Sequence, residues 1–341
     1  MSLIAAATRF VERAPLPDAL SKLGVTTLVD RASRSLSGRS ETSEIEFVRE
    51  MERFPIAQHV GAANRQHYEL PPDFFALLLG PRRKYSCCVY PTGGETLAEA
   101  EKLALEATVE RADLQEGQQI LELGCGWGSL SLFMAERFAS ARITAVSNSA
   151  SQRLYIEHAA AERRLTNLRV IMADMNSFAP GRVYDRIVSV EMFEHMSNWS
   201  DLLARIRTWL TPDGRLFVHV FSHRSKPYRF DHGDEADWIA QHFFTGGIMP
   251  SHGLMMRFPG LFTVEQDWRW NGSHYRRTAL DWLDNFDANR NAIDDILAEV
   301  YGVDADLWRR RWRLFFLATA GLFGHANGEE WGVSHYRLRP T

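Results

Sequence analysis

The stretch from Gln119 to Phe221 constrains this chain more than any other. Gln119–Leu123 (QILEL) is a short apolar run that ends in Gly124-Cys-Gly-Trp-Gly128, and Ser129–Phe138 follows at helical spacing. Arg142–Val146 then reads as a strand, Ser151–Arg164 as a surface helix, and Leu168–Ala173 and Tyr184–Val190 as two more strands. A helical Trp199–Leu210 leads into the strand-like Gly214–Phe221. Strands alternating with helices every roughly 20–30 residues predict an α/β fold, a doubly wound and mainly parallel sheet with helices on both faces. Sheets of this type bind ligands in the crevice beyond the carboxyl ends of their strands.

The flanks read differently. Residues 1–110 lack the alternation and carry helical stretches, Ser43–Phe54 and Thr96–Arg111, broken by Pro71-Pro72 and the Pro91-Thr-Gly-Gly turn. They are expected to form a helical N-terminal extension, or cap, on a core spanning 111–341. Within that core, residues of about 222–262 are rich in His, Phe, Gly and Pro without a period, as in an insertion or lid. Thr278–Tyr301 and Asp304–Gly324 read as long helices, and Trp331–Leu338 as a closing strand.

Composition narrows the function classes. Charged residues at 24% and hydrophobic residues at 45% exclude a disordered chain. A net charge of −4 gives no electrostatic reason for a nucleic-acid partner. No apolar run approaches the ~20 residues of a membrane span, and the N-terminal apolar stretch is too short, and lacks the basic start, of a secretory signal. Three cysteines, with Cys87 and Cys88 adjacent, build neither a disulfide framework nor a four-cysteine metal site, so no metal and a reducing, cytoplasmic location are expected. Ten tryptophans and twenty phenylalanines suit either an aromatic substrate cavity or an ordinary core.

The glycine turn is compatible with dinucleotide binding as well as methyl transfer. Glu122, directly before it, shifts the balance, because a carboxylate there repels a pyrophosphate and suits a ligand with an ammonium group. S-adenosylmethionine carries an ammonium and a sulfonium. Ser147-Asn148-Ser149 with Gln152 ends the second strand, where polar side chains meet ribose hydroxyls. Asp174-Met175 ends the third, offering a carboxylate and an apolar wall for adenine, although Asp174 also reads as a helix N-cap.

The fourth strand runs into Glu191-Met-Phe-Glu194-His195. On a helical turn, positions i, i+3 and i+4 share a face, so Glu191, Glu194 and His195 are expected to converge beyond the strand end. Two carboxylates and an imidazole in one cleft push each other's protonation equilibria apart, as is needed to take a proton from an incoming ammonium. A solvated helix start is the alternative. Cys87, His219 and Tyr275 form a second polar set expected to join Glu194 around the cleft; individually, a buried Cys or a strand His is more often packing than chemistry.

Seven separated blocks then carry a resemblance: Gln66–Pro71 (QHYELP), Lys84–Cys88 (KYSCC), Ile120–Ser129 (ILELGCGWGS), Ser189–Met196 (SVEMFEHM), Phe243–Ser251 (FFTGGIMPS), His274-Tyr275 and Gly328–Trp331 (GEEW). The chain resembles the family of cyclopropane fatty acid synthases and mycolic acid methyltransferases, and is most similar to its coclaurine N-methyltransferase branch. The resemblance implies a class I (Rossmann-like) methyltransferase core with a seven-stranded sheet and a substrate-covering insertion. It implies S-adenosyl-L-methionine as donor and S-adenosyl-L-homocysteine as product. Tyr85, Ser86, Gly124, Gly126, Gly128, Asn148, Gln152, Asp174 and Met175 match donor-contacting positions, and Glu191, Glu194 and His195 match residues that orient an amine and assist its deprotonation. In the cyclopropane branch a bicarbonate is the base, held by a group similar to Cys87, Glu194, His219 and Tyr275.

Glu191 stands where cyclopropane synthases usually show Gly, which favours an amine acceptor; Gly321 stands where the plant enzymes carry Glu. The expected function is methyl transfer from S-adenosylmethionine to the nitrogen of a small, aromatic, alkaloid-like amine. Phe193, Phe243, Phe244, Trp268, Trp270, Tyr275 and Trp331 are candidate walls. The alternative is methylation or cyclopropanation of unsaturated acyl chains of phospholipids, with Phe10, Val11 and Leu16 beside Arg9 and Arg13 as a weak membrane-docking candidate. Neither reading needs nucleic acid or a transmembrane segment, and both leave a homodimer open.

Overall fold

The computed structural model describes Glu12, residues 17–37, 43–58, 70–230, Gly233 and 237–341. The block Gln66–Glu69 and the docking candidates Arg9, Phe10, Val11, Arg13 and Leu16 lie outside the described residues. Among the described residues, four helices precede the sheet: α1 (Asp18–Ser37), α2 (Ser43–Met51), α3 (Pro72–Leu78) and α4 (Leu97–Arg111). The start of α4 is fixed by a capping box, in which the Thr96 hydroxyl accepts from the Glu99 amide while the Glu99 carboxylate accepts from the Thr96 amide.

The alternation read from the sequence is present as β1 (Gln119–Leu123), α5 (Ser129–Arg137), β2 (Arg142–Ser147), α6 (Ala150–Glu162), β3 (Leu168–Met172), β4 (Tyr184–Val190), α7 (Trp199–Thr208) and β5 (Leu210–His223). A short ribbon of β6 (Tyr228–Arg229) and β7 (Ile248–Met249) flanks α8 (Trp238–His242). Then come β8 (Phe262–Asn271), α9 (Gly272–Ala288), α10 (Arg290–Tyr301), α11 (Ala305–Gly324) and β9 (Trp331–Pro340).

The sheet has seven strands in the order β3-β2-β1-β4-β5-β9-β8. The five strands β1–β5 are parallel, and β9 runs antiparallel between β5 and β8. The chain steps outward from β1 to β2 and β3, then crosses back to place β4 on the other side of β1. The loops after β1 and β4 therefore leave the sheet on opposite faces and open a crevice between them, where a ligand fits. All four residues from Ile120 to Leu123 are buried, as a central strand covered on both faces requires.

One sequence expectation needs correction, and one strand carries no hydrophobic pattern that would reveal it. Thr278–Tyr301 is not one helix, because Asn289 ends α9 and turns its side-chain amide onto the carbonyls of Leu77 (2.8 Å) and Asn285 (3.1 Å). The strand β8 carries Glu265, Gln266 and Asp267 and an irregular register at Val264/Gln266, so its polar, edge-strand character hid it from the hydrophobic pattern.

Helix α1 packs across α11. Arg313 on α11 grips Asp18 with both terminal nitrogens (2.8 and 3.2 Å) and also Asp287 of α9, and its guanidinium holds the Asp18 carboxyl below the usual range. At the crossing, a Cβ on Gly321 would lie 2.3 Å from Val25 Cγ1, so the two backbones approach as closely as they do only because the side chain is absent. This sets one wall of a cavity of about 620 Å³, lined from α1 by Val25, Leu28, Val29, Ala32 and Leu36 with the polar Arg31 and Ser35. Gly321→Ala separates two opposing effects. Helix propensity alone would stabilise by ~1 kcal/mol, whereas overpacking costs ~1–3 kcal/mol. Denaturant unfolding is expected to show net destabilisation, and a gain would mean that α1 is not pinned here.

Candidate active site

The crevice holds two cavities. The first, about 160 Å³, is lined by Tyr85, Ser86, Glu122, Gly124, Gly126, Asn148, Gln152, Asp174 and Met175. The loop after β1 takes its shape from left-handed backbone at Gly124 (φ 77°) and Gly126 (φ 51°). Gly124 is also a packing requirement, since a Cβ there would sit 2.6 Å from Met192 Cβ, in the loop after β4. The two strand-end loops thus interlock. Gly128, by contrast, does not line the cavity; it caps α5, and a Cβ on it would press on Ile156 at 2.6 Å.

The polar atoms of this cavity are incomplete without a ligand. Glu122 is buried and takes one hydrogen bond, from the Ser131 hydroxyl; burial pushes its carboxyl up to about 8. Gln152 Oε1 accepts from Ser147 Oγ (2.7 Å), while Gln152 Nε2 and Ser129 Oγ are buried without a partner. A buried acid short of a cation, together with unsatisfied donors beside a glycine turn, fits the ammonium and hydroxyls of S-adenosylmethionine. Asp174 Oδ1 accepts from the Asn176 amide (2.8 Å), so the residue closes a local turn while lining the cavity.

Glu191 is the pivot of the site. Its φ of 47° places a non-glycine residue in the left-handed region, at a cost of roughly 1–3 kcal/mol. Its own amide donates to the His219 carbonyl (2.8 Å), and its carboxylate is held by three donors. Oε1 accepts from the Cys87 amide (2.9 Å) and lies 3.2 Å from His219 Nε2; Oε2 accepts from the Tyr275 hydroxyl (2.6 Å). The strand register places His219 directly beside Val190, and α9 presents Tyr275 one turn from its start. Burial raises the Glu191 pKa, while Lys84, Tyr275 and the Cys87 amide oppose the rise.

The second cavity, about 620 Å³, lies on the other side of Glu191. Three residues line both cavities: Tyr85, Glu191 and His195. Glu194 lines only the second, fully buried on the short 3-10 turn Phe193–His195. Neither of its carboxyl oxygens has a hydrogen-bond partner, although the backbone dipoles at Glu194 and Phe221 offset a little of the cost. Burial first, and the charge of Glu191 second, push its carboxyl well above the ordinary range. The His195 ring stacks on Phe244 at 4.4 Å between centroids.

Cys87, His219 and Tyr275 therefore meet around Glu191 and not around Glu194. Cys87 contributes its amide; its thiol donates to the Cys88 carbonyl and is held protonated by burial. The aromatic walls also differ from expectation. Phe244 and Tyr275 line the second cavity, joined by Phe221, Tyr228, Phe230, Trp282 and Phe323. Phe193 is core beneath Trp199, and Phe243 stacks on Phe315. Trp268 and Trp270 sit under the Arg111 guanidinium, and Trp331 packs on His223. A strand buries residues on both faces, and composition does not say which face meets a cavity.

Lys84 carries no signal of its own in the sequence beyond its place at the head of KYSCC. It lines the first cavity and is buried. His335 was also missed. It stacks on His219 at 4.5 Å, across from it on the neighbouring strand, and the Arg111 guanidinium meets its Nδ1 at 2.5 Å. Desolvation and these cations keep both imidazoles neutral.

Residues 57–328 match the family described as Mycolic acid cyclopropane synthetase. The chain is 37% identical over 296 residues to an (S)-coclaurine N-methyltransferase of Thalictrum flavum subsp. glaucum, covering 85% of this chain and 82% of that one. It is 28% identical to the cyclopropane-fatty-acyl-phospholipid synthase of Escherichia coli K12, over 79% of this chain and 66% of that one. A crystal structure of coclaurine N-methyltransferase bound to N-methylheliamine and SAH superposes with a TM-score of 0.92 at 33% identity, covering 99% of this chain and 100% of that chain. The glycine turn, the paired cavities and these matches agree: the chain belongs to the mycolic acid cyclopropane synthetase family and is an S-adenosylmethionine-dependent methyltransferase.

Proposed function

We propose that this enzyme methylates the nitrogen of a small aromatic, alkaloid-like amine. The observation that carries the reading is the Glu191 carboxylate, fixed by three donors in the wall shared by the two cavities. When bound, S-adenosylmethionine supplies an electrophilic methyl group on its sulfonium. Tyr85, Ser86, Asn148, Gln152, Asp174 and Met175, with Glu122 and the glycine turn, would hold it in the first cavity. The acceptor amine enters the second as an ammonium, drawn by the negative charge at Glu191. Glu191 and Glu194 orient its N–H bonds, and His195, facing both cavities, takes the proton so that the lone pair points towards the donor. Positioning and the exclusion of water supply most of the remaining catalysis in an in-line displacement.

The helices before residue 111 and the insertion at about 222–262 act as a cap in this reading. Helix α1 and the insertion residues Tyr228, Phe230, Phe244 and Met249 line the acceptor cavity, which supports that role. We place the enzyme in the cytoplasm, consistent with its three buried, unpaired cysteines. No described helix is long and apolar enough to cross a membrane.

The related acyl-lipid chemistry calls for a bicarbonate base, yet three of the four groups linked to bicarbonate already serve Glu191. Depleting bicarbonate is therefore expected to leave turnover of an amine substrate unchanged, and dependence on it would contradict this assignment of Glu191. Labelled donor offered to a panel of aromatic amines beside unsaturated phospholipid vesicles should label amines; label confined to extracted lipid would overturn the reading. Glu194→Gln and His195→Ala should each lower kcat by about 10²-fold or more, with the S-adenosylhomocysteine Kd within a few-fold of wild type. Equal losses in both would show that they serve donor binding instead.

Glu194 also predicts a pH dependence of stability. Its folded pKa is raised above the ordinary 4.5, so at neutral pH the folded chain retains a proton that the unfolded chain has released. That contribution is complete below ~4.5 and is lost as pH rises towards the folded pKa. Glu194→Gln removes the penalty, so its thermal stability relative to wild type should increase from pH 5 to pH 8. A constant difference would show that Glu194 is not held protonated.

A further inference from the structure

The chain has four lysines, and Lys84 alone among them is buried. Its ammonium donates to Ser86 Oγ (2.5 Å) and to the Cys87 carbonyl (2.7 Å). Among the described residues no carboxylate comes within ion-pair distance of it. The two buried carboxylates that feel its charge are engaged elsewhere. Glu101 accepts from the backbone amides of Arg82 (2.8 Å) and Lys84 (3.0 Å), and Glu191 is held by Cys87, His219 and Tyr275. A buried cation without an adjacent counter-charge is expensive to maintain and calls for a partner supplied from outside the chain.

Lys84 and Ser86 line the same cavity as Glu122, the buried acid that lacks a cation. Among the charged groups that line this cavity, which include Arg83, Asp174 and Glu191, Lys84 and Glu122 are a buried ammonium and a buried carboxyl, each without an ion-pair partner of opposite sign. The complementary ligand carries both charges close together, as the amino-acid end of the donor does; adenosine carries neither. The Ser86 hydroxyl already accepts from Lys84, so its own proton is available to point onward into the cavity.

We propose that Lys84 is the positioning residue that provides the counter-charge for the donor's carboxylate, acting through the Ser86 hydroxyl, while Glu122 answers its ammonium. The donor then neutralises a charge that the apoenzyme holds buried. The proposal rests on the donor assignment and is independent of which acceptor is methylated.

Titration calorimetry with two ligands tests it: S-adenosylhomocysteine, and its decarboxylated form, which keeps the amine and lacks the carboxylate. For Lys84→Met, affinity for S-adenosylhomocysteine should fall by about tenfold or more, the worth of one charge-assisted hydrogen bond. Affinity for the decarboxylated ligand should stay within about twofold, and Lys84→Arg should restore part of the loss. Equal weakening of both ligands, or none, would overturn the proposal. Failure of wild type to bind S-adenosylhomocysteine at all would overturn the donor assignment and the proposal with it. A measurement on the wild-type chain needs no substitution: with carbon-13 on the lysine Cε, the Lys84 resonance should move with S-adenosylhomocysteine and not with the decarboxylated ligand. Equal shifts would contradict the role.

Discussion

A carboxylate held by three donors on a strained stretch of backbone organises this molecule. Glu191 sits where β4 leaves the sheet, in a left-handed conformation that costs free energy, and that conformation turns its side chain to meet a backbone amide, an imidazole and a phenol from three different segments. Those donors come from the loop after α3, from β5 and from α9. Each must be brought to within hydrogen-bond distance of one pair of oxygens. The packing of the helical layer against the sheet is therefore coupled to the geometry of a single side chain.

The same carboxylate divides the crevice. The first cavity lies over the loop after β1 and the second over the insertion and α1, with Tyr85, Glu191 and His195 common to both. Because β1 and β4 are neighbours with oppositely directed crossovers, their loops meet at Gly124 and Met192. The two glutamates differ sharply in environment although both are buried. Glu191 is surrounded by donors that offset its desolvation; Glu194 has no such partners and bears the repulsion of Glu191 as well. Burial raises both carboxyls, Glu194 well above the ordinary range and Glu191 against the opposition of its donors, a separation expected when two acids share a site.

Much of this was legible in the residues. The alternation from Gln119 to Phe221 required a parallel sheet, the glycine turn behind Glu122 marked the place of the first cavity, and Glu191, Glu194 and His195 stood out together at a strand end. What escaped depends on relations a linear pattern does not carry. That Cys87, His219 and Tyr275 turn to Glu191 and not to Glu194 follows from the pairing of Val190 with His219 and from the backbone conformation at Glu191. Trp268, Trp270 and Trp331 belong to the packed strands β8 and β9, whereas Trp282 and Phe323, on helices, reach the cavity. Lys84 looks like any basic residue until its burial is seen. At Gly321 the structure gives the missing side chain a reason, the closeness of Val25.

Glu194, raised well above the ordinary range by burial and by the charge of Glu191, is expected to keep its proton at neutral pH, while Glu191, with three donors on its oxygens, is expected to ionise first. Infrared difference spectroscopy of the ligand-free enzyme at pH 7, wild type against Glu194→Gln, reads this directly. The substitution is expected to remove a protonated-carboxyl C=O band and to leave the carboxylate bands in place. Loss of a carboxylate band with the C=O region unchanged would contradict it.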